Sequence, residues 1–213
     1  MNDHGGRPGE TPVADVTLTA GDLLLRPWRE EDVPALLEAY DDPVMRQWVR
    51  MPVSTPEEAA RWVEVQREGW ESGTRFSFAV TDTGRGGELV GNLALKRPGQ
   101  GAERAEVGYW TAARARGCGV APRALEALTA WAFTAFAAEG LVRLDLLHQV
   151  DNVASCRVAE KSGYAFAELL GALPPEFPLD GHLHVRRAPL GGPPFSVPPV
   201  CPPSGPATAG SRV

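Results

Sequence analysis

The chain is short of cysteine, of lysine and of long apolar runs, and each shortage excludes something. Its three cysteines, Cys118, Cys156 and Cys201, are odd in number, widely spaced and without a C-x-x-C pair. That argues against a secreted disulfide framework and against a paired-cysteine zinc site, and suits a reducing compartment. The longest apolar stretch, around Ala130 to Ala138, is far too short to cross a bilayer. Met1 to Asp15 is polar and lacks the apolar centre of a secretion signal, so a soluble cytoplasmic protein is expected. Lysine occurs only at Lys96 and Lys161, so 19 of the 21 basic residues are arginine, which reads mainly as coding bias. A net charge of −6 disfavours nucleic-acid binding by bulk positive charge, and neither nucleic acid nor membrane is an expected partner.

What is present is ordinary globular material. Hydrophobic residues make up 43% and charged residues 23% of 213 positions, enough for one domain with its own core. Composition shifts at both ends. Residues 1–15 are polar and aperiodic, and residues 189–213 hold eight of the twenty prolines. Both are expected to be disordered segments flanking a domain at 16–188, because such compositions bury too little apolar surface to offset their ordering entropy.

Within that domain the punctuation is regular. Leu18 to Trp28 reads as one strand, and Val33 to Tyr40 as a short helix with Asp32 before it and Pro34 in its first turn. Thr55-Pro56-Glu57-Glu58 is a helix start with a capping box, and Ser72-Gly73 stops that helix. Arg75–Thr81 and Leu89–Lys96 form an expected hairpin around Gly84 to Gly87, followed by a strand at Ala105–Trp110. A long helix over Val120 to Ala138 carries an apolar stripe through Leu125, Leu128 and Trp131, with Gly140 as its cap. Leu141–Leu147 is a strand, Asn152 caps a helix ending at Gly163, and Tyr164–Leu170 and His182–Arg187 are strands. Hairpins mixed with strand–helix–strand units predict an α+β, three-layer architecture: a mixed, mostly antiparallel sheet of about seven strands with helices on both faces. Trp48, Trp62 and Trp70 are expected in the core rather than as a stacking platform.

Residues 105–133, AEVGYWTAARARGCGVAPRALEALTAWAF, carry the strongest chemical signal. A helix start presents unpaired amides and partial positive charge, and so attracts anions. Gly117 and Gly119 keep the backbone open to a phosphate, with Arg114, Arg116 and Arg123 close by in sequence. The ligand narrows by subtraction. Gly119 is followed by Val120-Ala121 rather than Lys-Ser/Thr, which excludes an ATPase loop, and Pro122 stands where a dinucleotide fingerprint needs its third glycine. On the glycines alone, a tight turn without a ligand stays open as a reading.

A second element extends the pattern: a strand through Leu144–Leu147 leads to Asn152-Val153-Ala154-Ser155, and then to Glu160-Lys161-Ser162-Gly163-Tyr164. Together with Arg114-x-x-Gly117-x-Gly119, this order resembles the GNAT acetyltransferase superfamily. Leu24-Leu25-Arg26-Pro27-Trp28 and Glu106-Val107-Gly108-Tyr109-Trp110 resemble more narrowly its ribosomal-protein N-terminal acetyltransferase, or RimJ/RimL-like, branch. The resemblance implies an acyl-CoA N-acyltransferase fold and an enzyme that moves an acetyl group from acetyl-CoA to a primary amine, with a protein α-amino group favoured over a small-molecule amine. A non-catalytic acyl-CoA-binding module is the reading from another class, and a homodimer stays open. The implied coenzyme contacts are the amides of Gly117, Cys118, Gly119, Val120 and Ala121, flanked by Arg114 and Arg116. The strand end Tyr109, Trp110 and Thr111 lies along pantetheine, and Asn152 and Ser155 add to the coenzyme site.

Acetyl transfer needs a deprotonated amine and a satisfied leaving thiolate. Glu106 is the candidate base, through a water, and Ser155 the candidate partner of the thiolate. Many relatives place a tyrosine one helical turn later, where this chain has Ala159. Cys118 is read as incidental to the turn, since no histidine neighbours it in sequence. His148 either touches substrate or packs, and His182 and His184 form an i,i+2 pair without a third ligand, so no metal is expected.

Overall fold

A computed structural model describes residues 16–49 and 53–189. The expected disordered ends, Pro189 apart, lie outside the described residues. Strands β1 (Leu18–Ala20), β2 (Leu23–Pro27), β3 (Arg75–Asp82), β4 (Glu88–Lys96), β5 (Arg104–Thr111), β6 (Arg143–Gln149), β7 (Ala165–Leu170) and β8 (Gly181–Arg187) build one sheet in the order β1-β2-β3-β4-β5-β6-β8-β7. Every neighbouring pair is antiparallel except β5 and β6. The α-helices are α1 (Val33–Tyr40), α2 (Pro43–Trp48), α3 (Pro56–Glu71), α4 (Val120–Ala135) and α5 (Val153–Lys161), with four short 3-10 turns between elements.

Two features depart from the sequence reading. The expected single strand at Leu18–Trp28 is a hairpin: Gly21, at φ +66°, and Asp22 turn the chain back so that Ala20 pairs with Leu23. Gly-Asp between two apolar runs is a two-residue turn signal, and glycine supplies its positive φ without strain. That turn raises the strand count to eight. The second is α2, which the sequence reading passed over. Asp42 accepts hydrogen bonds from the Val44 and Met45 amides at 3.2 and 3.1 Å, and Pro43 opens the helix.

The start of α3 is as expected: Thr55 Oγ1 accepts from the Glu58 amide at 3.2 Å, and Glu58 reaches back to the Thr55 amide at 3.3 Å. Such a box stabilises its helix by about 1 kcal/mol. Two apolar layers sandwich the sheet. On one side α4 buries Ala124, Leu125, Leu128 and Phe133 against Phe76, Phe78, Leu93, Leu95 and Val107. On the other, Leu36, Tyr40, Met45, Trp62 and Val63 from α1–α3 pack against Trp28, Ala79 and Leu89. Trp62 and Trp70 are core residues, while Trp48 is half-buried. Each fully buried leucine contributes roughly 1.5–3 kcal/mol, so these two layers fix the sheet between them.

Candidate active site

The site grows out of the one parallel pairing. β5 and β6 are in register from Arg104–Arg143 to Val107–Leu146, and the pairing stops there. Both strands run on, β5 to Thr111 and β6 to Gln149, so their backbones part beyond Val107. On its other side β5 stays paired with β4 as far as Thr111–Gly91. Gly108 to Thr111 therefore turns a backbone edge, unused by β6, toward the opening. An exposed edge of this kind accepts an extended, amide-bearing ligand as an added strand.

At the mouth of that opening the chain makes a short turn at Ala113–Ala115 and then starts α4. Gly117 and Gly119 have φ of +76° and +72°, and a Cβ at either would meet no described atom within 4 Å. Their glycine is demanded by the left-handed backbone, and the space over them is free for a ligand. Gly119 is the cap position of α4 with no side chain capping it, and Pro122 in the first turn has no amide hydrogen to leave unpaired. The Val120 and Ala121 amides thus begin the helix without a side-chain acceptor among the described residues.

The neighbouring arginines do not stand free. Arg114 donates to Glu38 at 2.9 Å and to the Leu89 carbonyl at 2.8 Å, and pairs with Glu88. Arg116 pairs with Asp42, and Arg123 with Asp22. Burial pushes the Asp42 carboxyl up, but the Arg116 guanidinium and the Val44 and Met45 amides outweigh it and hold the group below the usual carboxylate range. The turn is thereby strapped to α1, to the start of α2 and to the β1–β2 hairpin. Cys118 is exposed, and its thiol lies 3.7 Å from the Arg116 carbonyl.

Deeper in, Tyr109 and Ser155 meet: the tyrosine hydroxyl donates to Ser155 Oγ at 3.1 Å. Burial pushes the Tyr109 phenol up to about 12, so it stays protonated and donating across the neutral range. The Ser155 amide donates to Asn152 Oδ1 at 3.1 Å, which caps α5 and sets the serine on its first turn. Asn152 thus spends its side-chain oxygen on the helix and keeps its amide nitrogen. The sequence reading placed only the Tyr109 backbone at the site. The hydroxyl was hidden because its partner lies 46 residues on, and only strand alternation hints that Val107 and Tyr109 face α5.

Glu106 projects from the other face of β5, the face of Trp110 and α1–α3. It is half-buried and ion-paired with Lys96, its partner across the β4–β5 ladder. The structure thus brings Tyr109 and Ser155 into contact and sets Glu106 on the opposite side of the same strand. Glu106 lies within the paired stretch of β5 and β6, one residue short of the point where the strands part. His148, Cys156, His182 and His184 converge beside this region, an arrangement the sequence showed only as one i,i+2 pair.

A strand edge freed by parting strands, ending at a helix start with unclaimed amides, can receive an extended, amide-bearing ligand with an anionic end. The Acetyltransferase (GNAT) domain family matches residues 22–165, and the chain belongs to this family of acetyl-CoA-dependent N-acetyltransferases. The fold is shared with solved structures. RimJ from Mycobacterium smegmatis, in complex with CoA-disulfide, aligns at TM-score 0.70 and 24% identity over 84% of this chain and 90% of its own. The RimL ribosomal α-N-protein acetyltransferase in complex with coenzyme A aligns at 0.70 and 23% identity over 81% and 98%. A Salmonella typhimurium acetyltransferase that modifies the N-terminal serine of a 50S ribosomal subunit protein aligns at 0.66 and 22% over 79% and 96%. No curated protein sequence matches. Among the described residues no helix is long and apolar enough to cross a membrane.

Proposed function

We propose that this acetyltransferase acts in the cytoplasm on the N-terminal α-amino group of a protein. The parted β5–β6 pair beside the uncapped start of α4 carries the reading, because it fits the coenzyme's two ends: amide-bearing arm and diphosphate. Amides of residues 117–121 hold the diphosphate, and the backbone of Tyr109, Trp110 and Thr111 pairs with the arm. The Asn152 amide nitrogen adds a donor, and Arg114, Arg116 and Cys118 shape the turn. Acetyl-CoA supplies a thioester whose carbonyl carbon is open to direct attack, so no covalent enzyme intermediate is needed.

Glu106 takes the proton of the attacking amine through a water. Ser155 Oγ–H donates to the departing sulfur, and Tyr109 O–H donates to Ser155 in turn. A neutral hydroxyl is a far weaker acid than a thiol, so this pair supplies hydrogen bonds rather than a full proton. The new bond is carbon–nitrogen and the broken one carbon–sulfur. The amine proton leaves by way of Glu106 to solvent.

The proposed acceptor is supported by acidity and by the ribosomal-protein acetyltransferases that share the fold. With a pKa of about 7.8, roughly a third of an α-amino group is neutral at pH 7.5, against about 0.1% of a lysine amine. A carboxylate already engaged by Lys96 suits the easier deprotonation. The test is thiol release from acetyl-CoA with peptides bearing free N-termini, N-blocked lysine peptides and aminoglycosides. Turnover concentrated on free N-termini, with Glu106→Gln lowering kcat at unchanged coenzyme affinity, is the expected result. Preference for an aminoglycoside or a free amino acid over every peptide refutes the acceptor, and failure to bind coenzyme refutes the seat itself.

A further inference from the structure

The geometry points to a binding site for one divalent first-row transition-metal ion, zinc in the first place, held by His148, Cys156, His182 and His184 between β6, β8 and α5. The β6–β8 register puts His148 opposite His182 and Leu146 opposite His184, so strand alternation stands all three rings on one face. α5 crosses that face and adds Cys156. One ligand atom from each of the four lies within 4.8 Å of the other three. Tetrahedral zinc with nitrogen and sulfur ligands at about 2.0–2.3 Å has ligand atoms about 3.3–3.8 Å apart, so the set needs only a small closing of side chains. Cys156 Sγ and His184 Nε2, at 3.7 Å, are already there.

Hydrogen bonding points the correct nitrogens inward. His184 Nδ1 sits 3.2 Å from the Tyr164 carbonyl and His148 Nδ1 2.8 Å from the Gln149 carbonyl. A ring that donates from Nδ1 to a carbonyl turns a lone pair on Nε2 toward its other side, the usual outer support of a metal-bound histidine. His148 Nε2 and His182 Nδ1 are buried and have no hydrogen-bond partner. Two orphaned ring nitrogens in one cluster are costly if the rings merely pack, and a shared ion satisfies both. Thiolate with imidazoles selects zinc, cobalt, nickel or copper over magnesium or calcium.

Four protein ligands close the coordination shell, so the ion is structural and takes no part in acetyl transfer. Binding forms one sulfur–metal bond and three nitrogen–metal bonds and releases the Cys156 thiol proton to solvent. It would fasten the first turn of α5, where Cys156 follows Ser155, to the two strands beneath. The inference stands on the cluster alone and not on the proposed acceptor.

The test is titration of the chelator-treated full chain with cobalt(II), followed by displacement with zinc(II). The expected result is one equivalent bound, with a thiolate-to-cobalt charge-transfer band and the intense visible bands of tetrahedral cobalt. Cys156→Ser should abolish the charge-transfer band, and the double variant His148→Asn/His182→Asn should weaken binding at least tenfold, both with an unchanged far-UV circular dichroism spectrum. Absence of the charge-transfer band in the parent chain overturns the site. So does a weak octahedral spectrum, or parental cobalt affinity in the double variant.

Discussion

Removing the Tyr109 hydroxyl separates a relay from a mere neighbour. Tyr109→Phe deletes the O–H that donates to Ser155 Oγ at 3.1 Å and leaves the partly buried ring in place. A neutral hydroxyl–hydroxyl bond is worth about 1 kcal/mol, or about fivefold in a rate if the bond is felt fully in the transition state. Ser155→Ala removes the proposed donor to a developing thiolate, a charge-assisted bond of about 1.5–3 kcal/mol, and should lower kcat roughly 10- to 150-fold. If Tyr109 acts through Ser155, the double variant should be no slower than Ser155→Ala alone, because the tyrosine then has nothing left to polarise. The assay is kcat by thiol release at saturating acetyl-CoA for the four members of the cycle, with coenzyme affinity measured separately. Strict additivity, or a Tyr109→Phe enzyme with parental kcat, would refute the relay.

Two further outcomes test the turn. Gly119→Ala places a Cβ in open space but at a φ of +72°, so it should cost about 1–2 kcal/mol from backbone strain alone. That corresponds to a fall of about 2–8 °C in Tm by scanning fluorimetry, with a raised KM for acetyl-CoA; an unchanged Tm would contradict the left-handed cap. Asp42 has a carboxyl held below its unfolded value of about 3.9, so its contribution to stability is complete above that pH and fades as pH drops through the folded value. Tm measured from pH 5 to 2.5 should therefore fall less steeply for Asp42→Asn than for the parent, and parallel curves would remove Arg116–Asp42 as an acid-sensitive strap.

Local chemistry made much of the fold legible. Thr55, Pro56 and Glu58 announce a helix start through groups within four positions of one another, and the structure forms that capping box. Gly117 and Gly119 announce a left-handed turn, and both have positive φ. The misses share one cause: partners brought together by the sheet. Nothing near Tyr109 in sequence points to Ser155, and nothing near His148 points to His182 until β6 and β8 are laid in register. Arg114 reads as a free cation beside a phosphate site because Glu38 is 76 residues away. The Gly21 turn is legible as Gly-Asp, but the apolar residues on either side of it also read as one continuous strand.

Those anchored arginines bear on how ionic strength acts on the enzyme. With Arg114, Arg116 and Arg123 each paired to a carboxylate, capture of a diphosphate at the proposed seat would fall mainly to short-range hydrogen bonds from the amides of the turn. Added electrolyte dims the long-range pull on an incoming anion, yet it also slackens the carboxylate grips and frees guanidinium charge at the rim. The two responses oppose each other, so coenzyme affinity at the proposed seat is expected to change little between dilute buffer and physiological ionic strength.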